Sequence, residues 1–162
     1  MLDIKTINHS LISDLELKNI CNIKSAFGDY SEESQLTWIQ NNLNQNDKHF
    51  LIYDNDKLIA YANLINEFIT IDNQKIQILG LGNVCVDEKG KEKGVLLMNS
   101  INDYLYSEKI TGLLFCKKNL IPFYNKANWN IILPHYSSEI SWMIFNHKIE
   151  RNQEISFTGK LF

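Results

Sequence analysis

The stretch Asp87–Asn99, DEKGKEKGVLLMN, sets two glycines and three lysines between an apolar strand pattern, LGNVCV, and the apolar spacing of a helix. Glycine is costly inside regular elements and cheap where backbone turns sharply or approaches a ligand, so Gly90 and Gly94 predict a turn with outward-facing amides. Amides at a helix start carry the positive end of its dipole, and with Lys89, Lys91 and Lys93 behind them they suit a pyrophosphate. Taken alone, GKEKG reads as a solvated lysine-rich turn; the strand before it and a tyrosine segment after it reverse that reading. A P-loop is excluded, because the G-x-x-x-x-G-K-[ST] spacing is absent and no Ser or Thr follows for Mg²⁺. Cys21, Cys85 and Cys116 are odd in number and lack C-x-x-C spacing. They read as buried reduced thiols, and no metal site is expected.

Elements that would position such a loop are legible on both sides of it. DIKTI alternates as a first strand, and Ser13–Glu16, SDLE, is a capping box opening a helix with Ile20, Ile23 and Phe27 on one face, ending at Gly28. Ser31 caps a second helix, with Glu32 and Glu33 complementing its dipole and Leu36, Ile39 and Leu43 spaced along its buried face. HFLIYD and KLIAYANLINEFITI, joined by DNDK, form a hairpin, and DNQK turns into IQILGLGNVCV. Gly80 and Gly82 in that strand predict a bulge, which would splay it from its neighbour, or a close backbone approach. Val95, Met98, Ile101 and Leu105 share a helical face; ITGLLFC reads as a buried strand, PFYNKANW as a short helix, and WNIIL and SWMIFN as closing strands. The order βααβββαβαββ is mixed α/β, with a largely antiparallel sheet and one βαβ crossover.

Over 162 residues, 44% hydrophobic, the chain reads as one domain with a real core. It holds no run long and apolar enough for a membrane span, and MLDIKTINHS lacks the layout of a signal peptide, so cytoplasmic placement is expected. A net charge of -3 argues against general nucleic-acid affinity and is compatible with a cationic small substrate.

VDEKGKEKGVLLMNSI resembles the acyl-CoA loop of the GNAT N-acetyltransferases, Q/R-x-x-G-x-G/A after a V-x-V strand, and LLFCKKNLIPFYNKANW resembles their later segment ending Y-x-K-x-G-F/W. The resemblance places Lys91 at the Q/R position, Glu92 and Lys93 at the variable ones, Gly94 at the glycine, Val95 next and Leu96 at the final small residue. Leu96 departs from the pattern. Tyr124, Lys126 and Trp129 match the second motif, and Asn128 replaces its glycine as the residue that best tolerates a left-handed conformation. The resemblance implies a GNAT fold with a splayed fourth strand, acetyl-CoA as cosubstrate, and a small-molecule amine acceptor attacking directly in a ternary complex. More narrowly, the tail ISFTGKLF and the tyrosine segment resemble the aminoglycoside 2'-N-acetyltransferase branch.

Under that resemblance Val84 and Val86 offer unpaired backbone groups to the pantetheine arm, with Cys85 facing the other way by alternation. Asn119 is a further cofactor contact, at a shorter spacing to Tyr124 than is usual for the family's asparagine. Tyr124 is the candidate acid: amine attack on a thioester expels a thiolate, which a phenol can hydrogen-bond or protonate. The strand LGLGNVCV holds no carboxylate, so a direct base from it is excluded. Glu67, after the third strand, His135, between the last two strands, and water remain. The acceptor wall implied for this fold draws on Tyr30, Glu32, Glu33, His135 and Tyr136, in a monomer or homodimer. A non-catalytic acyl-CoA-binding sensor of the same fold is the rival reading, favoured by Leu96 and the missing carboxylate.

Overall fold

Capping signals act where the sequence places them. A computed structural model of the chain describes residues 1–87, 91–136 and 139–162, and of residues 91 and 133–136 the backbone alone. Strand β1 (Leu2–Asn8) leads to helix α1 (Asp14–Ser25), where Ser13 accepts from the Glu16 amide and the Glu16 carboxylate accepts from the Ser13 amide. Two orphan amides are thereby satisfied reciprocally. The helix stops at Ser25, before the expected Gly28, so Phe27 falls beyond it and stands exposed while Ile20 and Ile23 are buried. Ser31 accepts from the Ser34 amide and opens α2 (Glu32–Asn42), whose buried positions are Gln35 and Ile39, with Leu36 only half-buried.

The sheet is built from β2 (Lys48–Asp54), β3 (Lys57–Ile71), β4 (Gln74–Val86), β5 (Thr111–Lys117), β6 (Asn130–Tyr136), β7 (Ile140–Phe145) and β8 (Ile155–Ser156), besides β1. Asp72 and Asn73, both at positive φ, make the tight turn between β3 and β4, a conformation these residue types tolerate. Helix α3 (Lys91–Ser107) runs between β4 and β5, and the short α4 (Ile121–Lys126) between β5 and β6. The strand order is β1-β2-β3-β4-β5-β7-β6, with β8 added on β3. Antiparallel neighbours, some joined by hairpins and some by longer connections, and one parallel β4–β5 pair make the expected mixed sheet. β8 is an addition that two residues in a polar tail did not announce.

The chain divides into two compact units, Met1–Ile65 with Asn83–Leu97, and Asn66–Gly82 with Met98–Phe162. In the first, Ile20, Ile39, Phe50, Leu51, Ile52, Ala60 and Leu64 are buried. In the second, Ile69, Ile78, Leu113, Ile132, Ile144 and Ile155 form a core against which Phe115, Trp142, Phe157 and Phe162 pack. The described β4–β5 register runs from Ile78↔Thr111 to Leu81↔Leu114.

Of the two readings of the β4 glycines, the close approach holds at Gly80. No described glycine has positive φ; the left-handed residue of β4 is Asn83, at φ 53°. Gly80 serves a different need, since a Cβ there would lie 2.2 Å from the Phe162 ring. It lets the terminal aromatic approach the strand.

Candidate functional site

Helix α3 starts earlier than the glycine-turn expectation. Residues 88–90, with Lys89 and Gly90, lie outside the described residues, as does the Lys91 side chain. Gly94 is buried within the first turn of α3. Lys91, Glu92 and Lys93 are good helix formers and Glu92 complements the dipole, so the helix extends through them despite a glycine cost of about 1 kcal/mol. The donors remain: the opening amides of a helix, here those of Lys91, Glu92 and Lys93, lack acceptors within it. Glu92 and Val95 are exposed and Leu96 is half-buried. The α3 face is therefore Leu97, Met98, Ile101 and Leu105, all fully buried, and Val95 is not part of it.

Lys93 does not stand as a cation behind those amides. Its Nζ lies 2.6 Å from Asp87 Oδ1, and Lys57 Nζ lies 2.7 Å from Asp87 Oδ2. Burial raises the Asp87 carboxyl pKa, but hydrogen bonds from Lys57 and Lys93 outweigh it and hold the group below its ordinary value.

The end of β4 borders a groove of about 540 Å³ in the first unit. Asn83 donates its Nδ2–H to Asn63 Oδ1 at 2.6 Å, fixing the left-handed residue. Val84 and Cys85 both line the groove. A strand interrupted by a left-handed residue no longer alternates cleanly. Val86 is half-buried. Burial pushes the Cys85 thiol up to about 12, against a partial lowering by the Lys24 charge, so it is a neutral thiol near pH 7. Tyr30, Trp38 and Lys24 share the lining; Glu32, exposed in the first turn of α2, is not among it. Lys24, 8% exposed, sits with Nζ 4.7 Å from the centre of the Trp38 ring, and burial lowers its pKa.

Behind the groove runs a polar chain that hydrophobic patterning conceals. His9 Nδ1 lies 3.0 Å from His49 Nε2, and His49 Nδ1 lies 2.9 Å from the Tyr61 hydroxyl. Both His49 and Tyr61 are fully buried. Burial, then the nearby His9, lowers the His49 pKa to about 4, so the ring is neutral. Burial raises Tyr61 well above the phenol value. The sequence signal was a lone polar residue in the apolar run HFLIYD.

In the second unit Tyr124 lies on α4, buried, and burial pushes its phenol up to about 12. The helix ends in a Schellman arrangement: Trp129 N–H donates to the Tyr124 carbonyl at 3.1 Å and Asn128 N–H to the Asn125 carbonyl at 3.0 Å. Asn128 has φ 63°, which bears out the left-handed role expected of it. Asn102 of α3, missed in the sequence, holds this turn by donating to the Ala127 carbonyl at 2.7 Å and accepting from Trp129 Nε1 at 2.8 Å. Asn119 is exposed on a 3₁₀ turn before α4. Glu67 lies within β3, half-buried, rather than after it. His135 falls on β6 rather than in a loop, and its side chain is outside the described residues. Among the described residues no cluster of three metal-ligating side chains occurs, and no helix is long and apolar enough to cross a membrane.

The mixed α/β order of the elements is that of an acyltransferase fold, and the family comparison agrees. The model of the acetyltransferase (GNAT) domain matches residues 13–132, and the chain belongs to that family. ElaA of Escherichia coli is similar in structure, with a TM-score of 0.69 at 20% identity over 89% of this chain and 99% of its own. An N-acetyltransferase from Staphylococcus aureus gives 0.64 at 20% identity over 90% and 97%. The N-acetyltransferase PseH of Campylobacter jejuni, solved with acetyl coenzyme A, gives 0.61 at 18% identity over 90% and 100%. No functionally curated protein matches the sequence significantly. The narrower aminoglycoside likeness is not confirmed by these matches.

Proposed function

We propose that this chain, acting as a single domain, transfers acetyl from acetyl-CoA to the primary amine of a small molecule by direct attack in a ternary complex. The observation that carries the reading is the entry of β4 into α3, with a buried Gly94 in a helix start whose opening amides have no acceptor inside the helix and suit a pyrophosphate. PseH, a structural neighbour, has been solved with acetyl coenzyme A, which supports the same cosubstrate here. The backbone of Val84 and Val86 is assigned to the pantetheine arm, and Asn119 remains a proposed outer contact.

In the reaction the amine nitrogen bonds to the thioester carbon, the carbon–sulfur bond breaks, and the sulfur leaves with the electron pair. Tyr124 is assigned as the hydrogen-bond donor to that sulfur. The amine proton passes to water, since β4 carries no carboxylate. Cys85, a neutral thiol, takes no acyl group. Proximity and electrostatic stabilisation supply most of the rate. A cytoplasmic monomer or homodimer completes the proposal.

The sensor reading keeps one structural observation in its favour: Asp87 already occupies Lys93. An acceptor panel with acetyl-CoA and a thiol-release readout decides between the two. Release above background with any amine supports the transferase; calorimetric acetyl-CoA binding with no release by any acceptor supports the sensor.

A further inference from the structure

The groove beside the end of β4 has a one-sided chemistry. Among its described lining residues, Lys24 carries the only formal charge. It is 8% exposed, and no carboxylate pairs with it among the described residues. Removing an ammonium from water is unfavourable without a counter-charge, and the Trp38 face at 4.7 Å compensates only one side of it. Gln35, equally buried at 8%, adds an amide to the lining. Phe27 and Tyr30, 45% and 69% exposed, stand at the same groove. Exposed aromatics gathered at a concave site are an apolar surface awaiting a ligand. The acidic residues that would draw a simple polyamine, Glu32 and Glu33, stand outside this lining.

We propose that this groove holds the acyl acceptor, and that the acceptor is an amine that also carries a carboxylate and an apolar body. The carboxylate pairs with Lys24 Nζ, and the apolar body lies on Phe27, Tyr30 and Trp38. A charge-assisted hydrogen bond between the two restores the counter-charge that the folded protein leaves out. Binding of the acid does not depend on the transferase reading; its role as acceptor does.

Calorimetry with L-phenylalanine, L-phenylalaninamide and phenethylamine as probes tests this in the full chain. The acid is expected to bind at least about tenfold more tightly than the amide or the decarboxylated amine, a typical worth for a charge-assisted contact. In Lys24→Met that preference disappears while acetyl-CoA binding is unchanged; in Lys24→Arg, which keeps the cation, the preference survives. Should Lys24→Met fail to fold, Lys24→Gln supplies the same comparison. Equal binding of acid and amide, no binding of the acid, or a preference that persists without the lysine charge overturns the proposal. Thiol release measured with the same compounds separates the two readings. Lys24-dependent acid binding without release upholds the groove as an acid-binding site and overturns its role as the acceptor site. Release indifferent to both Lys24 and the carboxylate upholds the transferase and overturns the groove.

Discussion

Asn102 and Trp129 form the joint on which the tyrosine-bearing helix rests. The asparagine accepts the indole N–H at 2.8 Å and donates to the neighbouring Ala127 carbonyl at 2.7 Å, while the Trp129 amide closes the turn on the Tyr124 carbonyl. Trp129 is fully buried and Asn102 nearly so. One amide side chain thus satisfies a donor and an acceptor that would otherwise be buried without partners.

Asn102→Leu is therefore expected to cost about 2–4 kcal/mol, because two buried polar groups lose their partners at once. Urea denaturation should show a lower midpoint with an unchanged slope. A midpoint within error of the parent would mean that water replaces the amide.

Local signals were legible and distant ones were not. The capping box at Ser13, the cap at Ser31 and the left-handed Asn128 depend on residues within a few positions of each other, so their chemistry is written in adjacent letters. Lys93 looked like a free cation because its partner Asp87 is chosen by the helix start, which lay three residues earlier than the glycine suggested. Gly80 read equally as a bulge or a close approach, because the ring it accommodates belongs to Phe162, at the far end of the chain. Lys24 carries no signal in its neighbouring letters, because only the packing of α1 beside Trp38 and Cys85 buries it. For the groove proposed to hold the acceptor, sequence supplied Tyr30 but not the lysine.

Asp87→Asn tests the helix-start assignment through Lys93. Removing the carboxylate takes one counter-charge from Lys93 beside the α3 amides, and acetyl-CoA affinity is expected to rise about two- to fivefold at low salt, an effect of the size of a surface ion pair. The gain should shrink as salt is added. Unchanged affinity in a folded variant would place the pyrophosphate elsewhere.

His49 makes acid sensitivity measurable. Its folded value of about 4 lies below the ordinary 6.5, so the unfolded chain binds the proton first. Stability is fully present above about pH 6.5 and falls as pH drops toward 4, by an amount on the order of 3 kcal/mol. His49→Gln should lower stability at neutral pH and flatten that slope. A parent protein equally stable at pH 4.5 and 7 would show that the ring is solvated.

Tyr124→Phe separates transferase from sensor. The ring is buried on α4 and its backbone carbonyl, not its hydroxyl, closes the turn to Trp129, so the variant should fold with little loss. If the phenol hydrogen-bonds the departing sulfur, kcat falls by up to about 100-fold while acetyl-CoA affinity stays nearly constant. With the phenol pushed up to about 12 by burial, it stays protonated from pH 7 to 10. The parent rate should therefore show no alkaline loss from this group in that range, and the variant should follow the same pH profile at a lower plateau. An alkaline limb present in the parent and absent in the variant would mean the phenol titrates near its ordinary value. A variant that turns over an accepted amine at the parental rate would assign the proton to water and leave Tyr124 as a packed residue of α4.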